Sequence, residues 1–124
     1  MKPLIPENIL QKNCKKINNR YAHLEYLNMK KLIDFTVTEN KRLNHDTILL
    51  VLHSDELPEI QPGQFVNVRV DHSPSTFLRR PISVHDVDES RGLLYLFIKI
   101  VGCGTSTLGE LQIGDKVNVM LPLG

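Results

Sequence analysis

From Met29 onward, apolar and polar residues alternate with a period of two, the pattern of strands that bury one face. The stretch MKKLIDFTVTENKRL opens it, setting Phe35 and Val37 against Thr36 and Thr38. Runs of this kind fall at about 33–43, 47–53, 64–70, 81–87, 93–101 and 116–121. Turn chemistry separates them: Pro58 and Pro62-Gly63 break the second run from the third, residues 88–92 offer a hairpin, and Gly114-Asp115 precedes the last run. In the third run Val66, Val68 and Val70 share the inner face, with Asn67 and Arg69 opposite. In the fifth, Leu94, Leu96, Ile98 and Ile100 point inward, leaving Tyr95, Phe97 and Lys99 outside. A single short helix is expected over 105–111, capped by Thr105, with Leu108 and Leu111 on one side. The pattern therefore predicts an all-β domain, a small closed barrel of six strands with one short helix.

Before Met29 the periodicity is not sustained, although Tyr21, Leu24, Tyr26 and Leu27 suit a short helix. Charge divides the chain at the same place. Through Lys31, seven Lys or Arg stand against Glu7 and Glu25, a net +5, which leaves about −4 for the rest of a chain whose total is +1. Residues 1–28 are read as a basic N-terminal extension and 29–124 as the domain, since 124 residues leave room for one core and a short appendage. Such an arm suits a solvated tail or contact with an acidic partner. It has no secretory pattern, and its lone Arg argues against an organelle transit peptide. No run reaches the roughly 18 apolar residues of a membrane helix, so no membrane span and a cytoplasmic location are expected. Cys14 and Cys103 offer no disulfide framework, the five histidines lack zinc-ligand spacing, and no metal is expected.

Two stretches carry candidate chemistry. In Leu78-Arg79-Arg80-Pro81-Ile82-Ser83, two guanidiniums meet a strand start that bears a hydroxyl. Guanidinium presents a planar fork to phosphate oxygens, and proline fixes the entering backbone. Taken alone, this reads more readily as a solvated arginine pair at a strand edge. In Val101-Gly102-Cys103-Gly104-Thr105-Ser106-Thr107-Leu108, glycines leave a strand and a helix begins, which allows an anion to approach free N–H groups. Taken alone, it is equally a turn needed for chain reversal. The third glycine of a dinucleotide-fold GxGxxG fingerprint is missing. Together the stretches flank the outward face bearing Phe97 and Lys99, an arrangement that suits a flavin dinucleotide. Cys103, without a resolving partner or activating base, is read as a small residue between glycines rather than as a redox group.

LRRPISV, then LYLFIKIVGCGTSTL, then GDKVNVMLPLG resemble the electron-transfer subunits of class B dihydroorotate dehydrogenase, within the ferredoxin-reductase-like superfamily. The resemblance covers residues 29–124 and implies a six-stranded antiparallel Greek-key barrel that binds FAD. Arg80-Pro81-Ile82-Ser83 stands where the superfamily carries Arg-x-Tyr-Ser/Thr, with Ile in place of Tyr. The resemblance implies that Arg80 binds the FAD pyrophosphate, Pro81 holds the strand entrance, Ile82 lies against the ring system and Ser83 contacts the flavin edge. It also assigns Phe97, Ile98 and Lys99 to a second contact strand, and Gly104 and Thr105 to the phosphate-binding turn. No catalytic residue or metal ligand is implied within this chain.

Complete members of that family add a nicotinamide-binding domain and a cysteine cluster holding a [2Fe-2S] centre. Neither is in this sequence, and Leu121-Pro122-Leu123-Gly124 reads as the joint to the nicotinamide domain. The resemblance thus implies a role in passing electrons between the flavin of a dihydroorotate dehydrogenase catalytic subunit, a [2Fe-2S] centre and NAD in pyrimidine biosynthesis. FAD is the cofactor expected of this chain, and [2Fe-2S] and NAD of the full-length subunit alone. The chain by itself is expected to be inactive with NADH. Two other readings compete: the barrel of another flavin and iron-sulfur NAD(P)H reductase, such as a sulfhydrogenase gamma subunit or the small subunit of a ferredoxin:NADP reductase, and a non-catalytic nucleic-acid-binding barrel. The last is disfavoured, because aromatic residues are only 6% of the chain and the barrel portion is acidic.

Overall fold

The computed structural model describes residues 30–76 and 78–124. The short helix expected near Tyr21 and the thiol of Cys14 lie outside the described residues. The strands are β1 (Lys31–Asn44), β2 (Thr47–His53), β3 (Phe65–Val68), β4 (Arg80–Asp88), β5 (Leu93–Lys99) and β6 (Lys116–Leu123), with one helix, α1 (Cys103–Leu108), between β5 and β6. They close into an antiparallel barrel in the order β1-β2-β5-β4-β3-β6, and β6 pairs back onto β1. Closure leaves no unpaired sheet edge.

Alternation fills the interior. Phe35 and Val37 of β1, Leu50 and Leu52 of β2, Val66 and Val68 of β3, Leu94, Leu96 and Ile98 of β5, and Val117, Val119 and Leu121 of β6 are all buried. Each contributes about 1.5–3 kcal/mol for removing its side chain from water. Leu108 of α1 joins the same cluster, so the helix packs onto the barrel by an apolar anchor. Asn40 of β1 fixes it from the other side: its Nδ2 donates to the carbonyls of Leu108 (3.3 Å), Gly109 (3.2 Å) and Leu111 (2.9 Å), at and just beyond the helix end.

β1, β4 and β6 run one or two residues beyond the expected bounds and the helix ends at Leu108, short of 111; three further differences bear on the site. β3 is shorter than the run at 64–70, although Val70 still turns into the core. β5 ends at Lys99 rather than near 101: Ile100 N–H still donates to Asp46 O, opposite it in the same register, but Val101 N–H turns away to Thr105 Oγ1. The helix begins at Cys103, two residues before the expected start, with Gly102 as its N-cap. Thr105 is consequently its third residue and not its cap.

Candidate functional site

β4 and β5 are neighbours in the barrel, so the outward residues of one lie beside those of the other. On β4, Pro81 and Ser83 are exposed while Ile82, 9% exposed, faces the core; on β5, Phe97 and Lys99 are exposed while Ile98, 1% exposed, faces the core. A groove of about 400 Å³ follows this outer wall, lined by Arg80, Pro81, Ile82, Ser83, Phe97, Ile98, Lys99, Val101 and Thr105. A second hollow of about 260 Å³ adjoins it, shares Arg80, Val101 and Thr105, and adds Gly102, Cys103 and Gly104. All nine residues expected at the site therefore fall on these two connected hollows. Strand alternation places the side chains of Ile82 and Ile98 in the core, as expected for Ile98, and both line the groove from beneath as the buried backing of its wall.

The two arginines divide. Arg79 donates from Nη1 to the carbonyls of Asn67 (3.3 Å) and Asn118 (3.2 Å) and from Nη2 to Asn118 Oδ1, tying the entrance of β4 to β3 and β6. Arg80 is half-buried, lies in both hollows, and its side chain makes no hydrogen bond or ion pair among the described residues. Its side chain fills the space above Gly104, where an added Cβ would stand 2.8 Å from Arg80 Nε and 3.4 Å from its Cγ. A side chain there would displace Arg80, so glycine leaves the room that the guanidinium occupies.

The helix start is organised by Thr105. This residue is buried, and its hydroxyl accepts N–H groups from Val101 (2.9 Å) and Gly102 (3.2 Å) while donating to Gly102 O (3.2 Å). The Thr105 hydroxyl holds the turn, leaving the amides of Cys103, Gly104 and Thr105 as the first three of the helix, without intrahelical acceptors. With six residues α1 adds only a weak dipole, so the charge at this end comes from Arg80. Lys99 supplies a second cation at the rim; its Nζ lies 3.8 Å from Asp46 Oδ2, and its side chain is 70% exposed.

Val101 and His85 were not singled out by the sequence. Val101 is 77% exposed and lines both hollows. Its parity with Phe97 and Lys99 on the outward side was a usable signal. His85 had none. It is the extra residue of a β-bulge, since Val84 pairs with Leu96 and Asp86 with Tyr95. The bulge turns its imidazole toward Phe97, with ring centroids 5.5 Å apart and planes tilted by 39°.

These features fit a flavin dinucleotide. A guanidinium without a side-chain partner among the described residues stands at the junction of two hollows, one of them walled by exposed Phe97, and a molecule with a ring system, a pyrophosphate and an adenosine needs that sequence of surfaces.

Comparison with known proteins points the same way. The family model described as the oxidoreductase FAD-binding domain matches residues 34–124. A dihydroorotate dehydrogenase B (NAD(+)) electron transfer subunit from Fusobacterium nucleatum is 37% identical over 95 residues, spanning 76% of this chain and 37% of that protein. The protein of the same name from Desulforamulus reducens is 49% identical over 63 residues, 51% of this chain and 24% of that one. Among solved structures, an NADH-dependent reduced ferredoxin-NADP oxidoreductase, described for flavin-based electron bifurcation, aligns with a TM-score of 0.65 at 29% identity, covering 73% of this chain and 32% of that one. The cytochrome b5 reductase domain of Ulva prolifera nitrate reductase shares the fold, with a TM-score of 0.63 at 23% identity over 76% of this chain and 40% of that one. The chain thus spans little more than a third, or less, of the curated relatives' lengths.

Proposed function

The chain belongs to the oxidoreductase FAD-binding domain family, and on that premise we propose that it is the flavin-holding barrel of an electron-transfer subunit serving a dihydroorotate dehydrogenase in pyrimidine biosynthesis. The observation that carries the site is Arg80, whose guanidinium is unpaired among the described residues and is shared by two adjoining hollows. When bound, FAD supplies the exchange between two-electron hydride chemistry and single-electron transfer.

The residues of this chain bind and orient. Arg80 and the first amides of α1 hold the pyrophosphate, and Lys99 adds positive charge along the groove. Phe97 presents a wall to the ring system, backed by the core residues Ile82 and Ile98. Ser83, outward on β4, offers a hydroxyl to the polar ring edge, and Pro81 fixes the strand entrance. Because the two hollows meet at Arg80, the site takes a dinucleotide in preference to a mononucleotide. In the whole protein the partners are a dihydroorotate dehydrogenase catalytic subunit, a [2Fe-2S] centre and NAD. Residues 1–124 alone turn over no NADH at an enzymatic rate; appreciable turnover by the flavin-loaded chain would contradict this.

A second reading, the barrel of a ferredoxin-NADP reductase of the same superfamily, draws on the 29% identity to such an oxidoreductase. Purification of the native complex separates the two by whether a dihydroorotate-oxidising subunit accompanies it. The test of the site is spectroscopic. The purified chain is expected to be yellow or to become so with FAD, to release FAD on denaturation, and to lose that colour as Arg80→Ala; normal FAD affinity in that variant would show the phosphate contact to be misplaced.

A further inference from the structure

Arg79 and Arg80 are chemically identical neighbours, yet they stand in opposite circumstances. Arg79 makes three hydrogen bonds, two of them to Asn118 of β6 and one to Asn67 of β3. Asn118 is itself held, its Nδ2 donating to Asp34 Oδ1 (2.9 Å) on β1 and its carbonyl accepting Arg69 N–H (2.9 Å). A connected set of polar groups therefore runs from the entrance of β4 across β3 and β6 to β1. The segment it secures is the long connection from Val68 to Arg80, two residues that pair directly in the β3–β4 ladder. Residues 69–79 must turn back within that span so that Arg80 arrives opposite Val68 with its side chain over Gly104.

We propose that Arg79 is a positioning residue for the cofactor anion: it touches no ligand, and its grip on Asn67 and Asn118 fixes the backbone from which Arg80 reaches the junction of the two hollows. This rests on the flavin reading of the groove. Three of the Arg79 donor contacts are already taken inside the barrel wall, and Arg79 lines neither hollow, whereas Arg80 lines both. Loss of the Arg79 grip frees the strand entrance to shift, and Arg80 then samples positions from which its fork no longer meets phosphate oxygens. A displacement of this kind weakens binding without removing a charge from the site.

The experiment measures FAD affinity by flavin fluorescence quenching across a salt series for the 124-residue chain and for Arg79→Gln, Arg79→Lys, Arg80→Gln and Arg79→Gln/Arg80→Gln, with far-ultraviolet circular dichroism as the check on folding. Arg79→Gln is expected to weaken FAD binding about tenfold, the scale of a lost charge-assisted hydrogen bond, and Arg79→Lys by less. The salt dependence of Arg79→Gln stays that of the parent, since no phosphate contact is lost, while that of Arg80→Gln becomes shallower. In the double variant, Arg79→Gln costs little beyond Arg80→Gln alone. Additive losses, or a shallower salt dependence in Arg79→Gln, would show that Arg79 meets the cofactor itself and overturn the proposal. So would parental affinity in a folded Arg79→Gln. If Arg79→Gln does not fold, Arg79→Lys in the presence and absence of Arg80→Gln separates the same two outcomes. Absence of FAD binding by the parent chain is a different result, and it would remove the flavin reading along with this one.

Discussion

Replacing Gly104 with alanine separates the site from the fold. The new methyl would stand 2.8 Å from Arg80 Nε, 3.3 Å from Thr76 Cγ2 and 3.4 Å from Arg80 Cγ. The closest of these atoms belongs to a long flexible side chain, so the barrel need not yield; Arg80 swings away instead. Gly104 does not occupy the left-handed region of backbone space, and alanine there narrows the unfolded ensemble, a gain of about 0.4–1 kcal/mol in stability against the Thr76 contact. Displacing the guanidinium from phosphate removes charge-assisted hydrogen bonds of about 1.5–3 kcal/mol, which corresponds to roughly a 10- to 150-fold rise in Kd for FAD. Flavin fluorescence titration and thermal denaturation of the apo chain read the two effects independently. Affinity is expected to fall by one to two orders of magnitude while Tm holds or rises by a few degrees. Parental affinity in Gly104→Ala would refute the placement of Arg80 over Gly104, and a collapse in Tm would show that something less yielding than a guanidinium fills that space.

Other expected outcomes concern the scaffold. Asn40→Ala strips the helix end of a donor to three carbonyls; a loss of about 1–3 kcal/mol in urea denaturation is expected, with FAD affinity affected less than by Gly104→Ala. Leu96→Ala empties a fully buried position at the centre of β5, and its cost of about 2–5 kcal/mol should appear in the same assay. Asp88 has its pKa lowered from the ordinary 3.8, first by the hydrogen bond from Ser90, with the Arg91 amide and charge acting in the same direction. A depressed folded-state pKa stabilises the fold above the unfolded value, and the contribution is lost as pH falls through the folded one. The difference in Tm between the parent and Asp88→Asn should therefore be present at pH 6 and shrink as the pH is taken down below 3.8; a difference independent of pH would assign the effect elsewhere.

The barrel was legible because its physics is local. Phe35, Val37 and Val68 each announce their direction through polar neighbours on either side, and turn residues mark where each run stops. The site was legible as two motifs on facing segments, and the outward parity of Phe97 and Lys99 joined them. What stayed hidden depends on register and on distant partners. Nothing in two adjacent arginines shows that Arg79 meets Asn118 on β6 while Arg80 turns to the hollows, because that follows from Val68 pairing with Arg80. The bulge that aims His85 at Phe97 is a one-residue slip between β4 and β5, invisible to alternation. Thr105 was recognised as a capping hydroxyl, but its position two residues into the helix was set by Gly102 and by its own bonds back to Val101 and Gly102.

The central claim is that the wall between β4 and β5 and the turn at α1 bind one FAD together. Another hollow, of about 300 Å³, lies elsewhere on the barrel and is lined by residues including Arg69, His72, Thr107 and Lys116. Amide resonances of the isotope-labelled chain, followed as FAD is added, distinguish the two places directly. The largest shifts are expected at Ser83, Phe97, Lys99, Gly104 and Thr105, appearing together along a single saturation curve. Shifts centred on His72, Thr107 and Lys116, or separate curves for the β4–β5 wall and the α1 turn, would contradict the claim.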